Sequence, residues 1–444
     1  MTKEKKNKPS KELPLGFVDR QEKELLVRDF IISNIKEVMI KYGFQYLETP
    51  SFEYSDSIGK FLPDKERPDA GVFSFRDENK WLSLRYDLTA PLARYVAKNY
   101  LEIAKPFKRY QLGKVWRNEK PGPGRYREFL QFDADYVGTK SLQADAELCV
   151  MISEILEKCG LSKEEYIVKI SSRKITEELF KKINVDTNDQ KLIVLRALDK
   201  IDRLGWNGVK ELLGEGRKDK SGDFTKGANL KPEDIKKIEE TLKKNLPETE
   251  DLVEILKIFK NYNFNNFEFD PSVIRGLEYY TGAIFEVNLK FDVTNNKGQV
   301  IQFGSIGGGG RYDNLVNNFG NYDAPATGIS IGLDRLVYAL MQKKEFKVKQ
   351  SKPVVICVFD KNSMKDYINI QTILRKAGVS TEIYPGESKL KKQMEYANKI
   401  KSPAVILYGE NEIKSGKPTL RNLSSGEEKS IEIKELVNEI KKII

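Results

Sequence analysis

Apolar residues recur at helical spacing near the beginning of the chain. They follow one another at intervals of three or four residues, which places them on one face of a helix: Val27, Ile31, Ile35, Val38 and Tyr42. Gly43 comes directly after them and suits a helix C-terminus. The pattern therefore predicts one long helix over about residues 20–42.

Shorter patterns follow this helix. Alternation of apolar and polar residues predicts strands at 45–49, 71–75, 81–85, 107–117 and 129–137. Helical spacing predicts helices at 89–99 and 143–159. Strands and helices do not alternate as regular βαβ units, so the fold class predicted is α+β with a largely antiparallel sheet.

Composition changes along the chain and predicts separate domains. Lys, Glu, Asn and Leu dominate residues 173–264, where helical patterns prevail and indicate an inserted helical module. Strand patterns then return, and from position 353 strands and helices alternate as in a compact α/β domain. The predicted first domain has two parts, 1–172 and 265–341, separated by the helical insertion 173–264. A charged linker, 342–352, leads to the terminal domain, 353–444.

Composition limits the classes of function. No apolar run reaches the roughly 20 residues that a membrane span needs, and the first dozen residues are polar, so a cytoplasmic protein is expected. The formal net charge of +10 favours contact with polyanions without proving it. Cys149, Cys159 and Cys357 are far apart and lack metal-ligand spacing, so we expect reduced, buried thiols and no zinc site.

The chain contains no histidine. This excludes a Ser-His-Asp triad, a histidine metal site and a histidine general base. Any chemistry must therefore use carboxylates, arginines and groups that the substrates bring.

The richest candidate for chemistry is the segment WRNEKPGPGRYREFLQFDADYVG, residues 116–138. Two predicted strands flank a loop that carries several arginines, and alternation puts four residues of the second strand on one face: Phe129, Gln131, Asp133 and Asp135. Guanidinium groups suit phosphate oxygens, and an aromatic ring can stack on a base. The alternative interpretation is a solvent-facing hairpin held by salt bridges.

This segment resembles motif 2 of the class II aminoacyl-tRNA synthetases. Two further segments agree with that resemblance: ATGISIGLDRL at 326–336 is similar to motif 3, and YGFQYLETP at 42–50 is similar to motif 1, which forms the dimer interface of the class. The three motifs occur in the family's order. The resemblance implies a class II catalytic domain and a homodimer.

Other segments resemble the histidyl-tRNA synthetases in particular. They are VIRGLEYYTG at 273–282, GGGGRYDNLV at 307–316 and LSLRYDLTAPLARY at 82–95. Taken singly, the glycine run also suits a tight turn and the tyrosine pair also suits core packing. KLKKQMEYANKI, at 389–400, is similar to the family's anticodon-binding domain, so the resemblance covers essentially the whole chain.

The resemblance implies how ATP would bind. Arg117 would hold the α-phosphate, whereas Arg125 and Arg335 would hold the γ-phosphate of a bent ATP. Glu119 and Phe129 would read and stack the adenine. Mg²⁺ is expected to bind through the ATP phosphates and not through a cage of protein ligands.

The resemblance also implies a histidine subsite. Asp135 and Tyr280 would contact the imidazole, with Tyr279 shaping the pocket, and the α-amino group would be bound by Asp87, Thr89 and Gln131. Arg275 would lie beside the α-phosphate and the substrate carboxylate and would act with Arg117 in catalysis. Many bacterial relatives have Glu-Gly-Thr at 87–89 and Glu at 135, so the shorter carboxylates of this chain change the pocket geometry.

The expected function is ATP-dependent ligation of L-histidine to tRNA(His) through histidyl-adenylate. One alternative is a non-catalytic regulatory paralogue, a partner subunit of ATP phosphoribosyltransferase, but such proteins lack the anticodon-binding domain. A second alternative is a synthetase for proline, threonine or glycine; RGLEYYTG and Asp135 argue against it. The motif 2 loop at 120–123 departs from the common bacterial sequence, which leaves the recognised acceptor-end nucleotides open.

The absence of histidine has two interpretations within this family. One is compositional drift in a chain rich in Lys, Asn and Ile. The other is that a synthetase free of histidine can be translated when charged histidyl-tRNA is scarce. Synthesis of the protein during histidine starvation, with and without inserted histidine codons, separates them, and equal output rules out the second.

Overall fold

The structure is a computed structural model that describes residues 10–59, 71–218, 222–244, 249–274, 279–295, 297–301, 303–343, 352–386 and 388–444. It divides into two compact units, residues 1–348 and 349–444. Among the described residues, no helix is long and apolar enough to cross a membrane. All three cysteines are buried, as expected.

The helices and strands of the described ranges are numbered in chain order. The helices are α1 Glu22–Lys41, α2 Ser55–Gly59, α3 Thr89–Lys98, α4 Leu142–Lys158, α5 Arg173–Lys182, α6 Asn188–Leu198, α7 Ile201–Leu213, α8 Pro232–Leu242, α9 Glu250–Asn261, α10 Leu333–Leu340, α11 Met364–Lys376, α12 Leu390–Lys399, α13 Glu410–Ser415 and α14 Ile433–Ile443. The strands are β1 Gln45–Tyr46, β2 Phe52–Tyr54, β3 Ser74–Asp77, β4 Lys80–Leu84, β5 Phe107–Trp116, β6 Glu128–Val137, β7 Tyr166–Ser172, β8 Gly216–Lys218, β9 Phe224–Lys226, β10 Phe267–Phe269, β11 Ala283–Leu289, β12 Val293–Thr294, β13 Val300–Ile301, β14 Gly307–Arg311, β15 Ala326–Gly332, β16 Val354–Cys357, β17 Thr381–Ile383, β18 Ala404–Leu407, β19 Thr419–Asn422 and β20 Glu428–Ser430.

An eight-stranded sheet organises the first unit. Its order is β1-β5-β6-β15-β14-β11-β7-β10. Only the two edge pairs, β1 with β5 and β10 with β7, are parallel, and every pair between them is antiparallel. The α+β class with a largely antiparallel sheet, predicted from the sequence, is confirmed.

The predicted long helix is confirmed as α1. Val27, Ile31, Ile35 and Val38 are buried in the main core with residues of α4, α9 and α10. Gly43 adopts a positive φ of 72°, a conformation that glycine takes without steric cost, and the helix ends just before it. Burial of one apolar stripe therefore fixes α1 against the sheet domain.

The segment 173–264 contains more than helices. Helices α5 to α9 lie there, and several of them share a separate core with apolar residues of the segments between them. The antiparallel strand pair β8-β9 also lies in this segment, for which the sequence predicted a helical module. Strands β2 and β7 also had no counterpart among the predicted elements. Short or fully buried strands give too little alternation to be recognised.

The second unit is an α/β domain with the strand order β17-β16-β18-β19-β20. Parallel pairing joins β16 to β17 and to β18, and antiparallel pairing adds β19 and β20. The alternation of strands and helices predicted from position 353 is present. Most of the predicted linker, 344–351, lies outside the described residues.

Candidate active site

Small residues open a cleft on one face of the large sheet. In the register, Asp133 of β6 lies opposite Ser330 of β15, which in turn lies opposite Gly308 of β14. Two residues further along the same face of β6, Asp135 lies opposite Gly328 of β15. Directly opposed residues of antiparallel strands point to the same face, so the small side chains leave space beside the carboxylates. The predicted alternation of β6 is confirmed.

The first part of the cleft has a volume of about 410 Å³. The predicted amino-acid-binding residues meet there, since all six line it: Asp87, Thr89, Gln131, Asp135, Tyr279 and Tyr280. Arg117, Asp133 and Tyr312 line it as well. Its walls therefore carry three carboxylates and three tyrosines, a lining suited to a cationic or hydrogen-bonding ligand.

Asp135 is held from two sides. The hydroxyl of Tyr312 donates a hydrogen bond to Oδ1, and the Nη2 of Arg109 lies 3.0 Å from Oδ2. Arg109 is fully buried on β5, directly opposite Asp135, and also donates to the carbonyl oxygen of Leu88 at 2.9 Å. Burial raises the pKa of Asp135, whereas Arg109 and Tyr312 act to lower it. The carboxylate is thus fixed in direction at the bottom of the cleft.

Asp87 caps helix α3. Its Oδ1 accepts hydrogen bonds from the backbone N–H groups of Thr89, at 3.0 Å, and Ala90, at 2.9 Å. Burial raises the pKa of this carboxyl group, and the two N–H groups and Arg117 oppose the rise. Because capping uses Oδ1, Oδ2 is the oxygen left for a ligand.

The second part of the cleft has a volume of about 630 Å³. All five predicted ATP-binding residues line it: Arg117, Glu119, Arg125, Phe129 and Arg335. The two parts share Arg117 and Gln131 of their walls and Gly308 and Ser330 of their floor. They are two ends of one cleft, and Arg117 lies where they join.

Aromatic rings hold Arg117 in place. Its guanidinium carbon lies 4.6 Å from the ring centre of Tyr86 and 5.1 Å from that of Phe129, distances typical of cation–π contacts. Its Nε donates to the carbonyl oxygen of Tyr86 at 3.2 Å. The Tyr86 hydroxyl in turn donates to Glu119 at 2.6 Å. The side chain is therefore oriented before any ligand arrives.

Arg335 and Arg125 make the far end of the cleft electropositive. Arg335 lies over the ring of Phe303 at 4.6 Å, and its buried Nε has no hydrogen-bond partner among the described residues. Burial, together with the positive charge of Arg125, lowers the pKa of Arg335 to about 10. This pair of neighbouring cations favours an anion between them. A bound polyanion would offset both the burial of the Arg335 charge and its repulsion by Arg125.

Arg275 lies outside the described residues, together with 276–278 of the same signature. The residues that follow are placed by a buried arginine. Arg311 donates to the carbonyl oxygens of Thr139 and Ser141 at 2.9 and 3.1 Å, and also to Asp145. Its own carbonyl oxygen accepts from the backbone N–H of Thr281 at 2.8 Å. The backbone that follows Tyr279 and Tyr280 is thereby joined to the glycine strand β14.

Two residues that line the cleft, Asp133 and Tyr312, had no predicted role, and neither had Arg109, which lies buried behind Asp135. Asp133 stands on the predicted face of β6, so alternation could have marked it. Tyr312 belongs to the GGGGRYDNLV segment, which was quoted without a role for its tyrosine. Arg109 gives no signal in the sequence, because its partnership with Asp135 depends on the register of β5 and β6.

The geometry suits a nucleotide next to a cationic metabolite. The ring of Phe129 and the carboxylate of Glu119 can bind a base. The arginines elsewhere in the same part of the cleft can bind the phosphates. The acidic part of the cleft can hold an ammonium group. Arg117 lies between them, where it can stabilise charge that develops at a phosphate.

Comparison with known proteins agrees with this arrangement. A histidyl-tRNA synthetase family model matches residues 16–336, and an anticodon-binding-domain model matches residues 352–443. A histidine–tRNA ligase of Bartonella quintana (strain Toulouse) is 46% identical over 97% of this chain and 92% of its own length. One from Rhizobium meliloti (strain 1021) is 45% identical over 96% and 90%. The crystal structure of histidyl-tRNA synthetase from Nostoc sp. PCC 7120 matches with a TM-score of 0.73 and 26% identity, covering 98% of this chain and all of that one.

Proposed function

The chain belongs to the histidyl-tRNA synthetase family, and we propose that its cleft joins histidine to ATP as histidyl-adenylate before transfer to tRNA(His). Ligation of histidine to tRNA is the activity named for the relatives that match nearly the whole chain. The observation that carries the proposal is the single cleft in which Arg117 joins an acidic end to an end lined by Arg125 and Arg335.

Activation of histidine requires alignment and charge stabilisation. A carboxylate oxygen of histidine attacks the α-phosphorus of ATP, a new P–O bond forms, and the bond to pyrophosphate breaks. Arg117 holds the α-phosphate, and Arg125 with Arg335 holds the γ-phosphate of the leaving group. No proton is transferred in this step, so a chain without histidine can perform it. Arg275 is proposed to assist from the side of the substrate carboxylate.

The histidine side chain is proposed to bind at Asp135. Because Arg109 and Tyr312 fix this carboxylate, its oxygen can accept a hydrogen bond from an imidazole N–H. Tyr280 is proposed to contact the imidazole ring. Tyr279 lies beside Tyr280, with 5.1 Å between the centres of the two tyrosine rings. Asp87, Thr89 and Gln131 are proposed to hold the α-amino group.

Mg²⁺ is proposed to enter with ATP. Mg²⁺ that accompanies a nucleotide is typically held through substrate phosphates, so phosphate oxygens would hold the ion here. It would reduce the negative charge of the triphosphate. The arginines perform the positioning described above.

Transfer to tRNA completes the reaction. A ribose hydroxyl at the tRNA 3′ end attacks the carbonyl carbon of the adenylate, AMP leaves, and the hydroxyl proton passes to a phosphate oxygen. The second unit matches the anticodon-binding domain, which the regulatory alternative is expected to lack.

We propose the cytoplasm as the compartment because ATP and tRNA are available there; recovery of the protein in another cell fraction contradicts this.

Histidine-dependent exchange of labelled pyrophosphate into ATP tests the proposed function. We expect exchange with L-histidine and Mg²⁺, and its loss in excess chelator. Proline, threonine and glycine serve as controls because they are the substrates of the second alternative. Exchange with one of these three instead of histidine rejects the proposal in favour of the second alternative. Exchange with none of the four amino acids rejects it in favour of the regulatory alternative.

We also propose a homodimer through the motif 1 region. Aromatic side chains of β1 to β4 are about half exposed in the single chain: Tyr46, Phe52, Tyr54, Phe75 and Trp81. Exposed apolar clusters of this kind mark protein interfaces. Light scattering is expected to give twice the chain mass of 51.0 kDa. A mass of one chain at micromolar concentration contradicts the proposal.

A further inference from the structure

Asp133 is an almost fully buried carboxylate with no role in the scheme above. It is 2% exposed and lines the acidic end of the cleft. Its Oδ1 accepts a hydrogen bond from Gln131 Nε2 at 2.8 Å, and its Oδ2 accepts one from Thr89 Oγ1 at 3.4 Å. It therefore contacts two of the three residues proposed to bind the α-amino group.

Among the described residues, the charges around Asp133 do not balance. Arg109 pairs with Asp135, the neighbouring carboxylate on the same strand face. Arg85, the other cation near Asp133, donates to backbone carbonyl oxygens of Thr49 and Lys114. Asp133 and Asp87 thus remain as two buried carboxylates that form no salt bridge among the described residues, although the charge of Arg117 acts on Asp87 from further away. Such a site favours a small cation.

The local hydrogen bonds point the same way. Because Asp133 accepts from the Gln131 amide nitrogen, the Gln131 oxygen turns away from it and accepts from Arg117 Nη2 at 3.4 Å. Each carboxylate oxygen of Asp133 keeps a further lone pair. Asp87 has a shorter side chain than the Glu that many bacterial relatives have at this position. Its Oδ1 already accepts the two hydrogen bonds that cap α3. A second carboxylate is needed to surround an ammonium group.

We propose that Asp133 binds the α-ammonium group of the amino-acid substrate and thereby sets the requirement for an α-amino acid; this rests on the proposed function. Burial, followed by the negative charge of Asp135, raises the pKa of Asp133 to about 7, while Arg109 and Gln131 oppose the rise and Asp87 adds to it. An entering ammonium group lowers that pKa again, so binding below pH 7 releases a proton.

Equilibrium binding of two ligands tests the proposal on the unaltered protein. Histidine carries the α-amino group, and imidazolepropionate is the same molecule without it. Titration calorimetry at pH 6 in two buffers of different ionisation enthalpy gives the proton count. Once the imidazole protonation of each free ligand is subtracted, we expect histidine binding to release more protons than imidazolepropionate binding, since burial keeps the carboxyl group of Asp133 largely protonated below pH 7. Equal counts reject the proposal.

The variant Asp133→Asn gives a second test. We expect histidine to bind on the order of 30-fold more weakly, since a hydrogen bond to a charged group is lost, whereas imidazolepropionate binds within threefold of its original affinity. The extra proton release disappears. Asp251→Asn is the matched control, because Asp251 is a buried carboxylate of the same unit that accepts from Ser172 and does not line the cleft.

The outcomes separate this inference from the proposed function. If the unaltered protein exchanges pyrophosphate with histidine but Asp133→Asn binds both ligands as before, the role of Asp133 is wrong and the function stands. If both ligands weaken equally, Asp133 is only structural, which also rejects the proposal. If the unaltered protein shows no histidine-dependent exchange, the proposed function itself fails.

Discussion

Replacing Arg117 with alanine lowers kcat/KM for histidine-dependent pyrophosphate exchange by about 10³-fold. The guanidinium group lies at the junction of the two ends of the cleft and is already oriented by Tyr86 and Phe129. A charge that is fixed before the reaction stabilises the transition state without reorganisation. We therefore expect most of the loss in kcat, measured by steady-state exchange at saturating histidine and ATP.

Arg335→Ala provides the comparison for Arg117. Arg335 lies at the far end of the cleft, next to Arg125, and is proposed to hold the leaving end of ATP. Its loss is expected to raise the KM for ATP by roughly tenfold or more with a smaller change in kcat, because it binds the ground state and the transition state alike. Arg117→Ala with an unchanged kcat would show that Arg117 only binds ATP.

The order and type of the main elements were predictable because each buries a regular apolar pattern. Helix α1 shows this, since its four buried positions follow the predicted spacing and Gly43 ends it. The long strands β5 and β6 also match their predicted ranges within one residue at each end. The strand pair β8-β9 was missed, because exposed three-residue strands carry no apolar alternation.

The candidate site was predictable only where residues stand in a motif. Every predicted site residue within the described ranges lines the cleft, and the fold brings them together from β6, the start of α3, the segment after β5, the turn before β11 and α10. The partners of those residues were not predictable. Arg109 meets Asp135 through strand register, and Asp133 gains its importance from burial, which appears only after folding.

Gly328→Ala is expected to lower histidine activation strongly. A Cβ atom at this position would lie 2.0 Å from Oδ1 of Asp135 and 2.8 Å from its Cγ. Asp135 cannot turn aside without leaving Tyr312 and Arg109, and Arg109 is completely buried. We expect kcat/KM for histidine to fall by at least about 10²-fold, with a loss of unfolding free energy of about 3 kcal/mol from the separated ion pair.

A matched glycine separates this steric effect from the general cost of an added methyl group. Gly122 has no heavy atom within 4 Å of an added Cβ, so Gly122→Ala should keep both exchange activity and stability. Exchange kinetics and denaturant unfolding on the two variants measure the difference. If Gly328→Ala kept the original KM for histidine, the position of Asp135 could not matter for imidazole binding. The acidic end of the cleft would then have to bind something other than the histidine side chain.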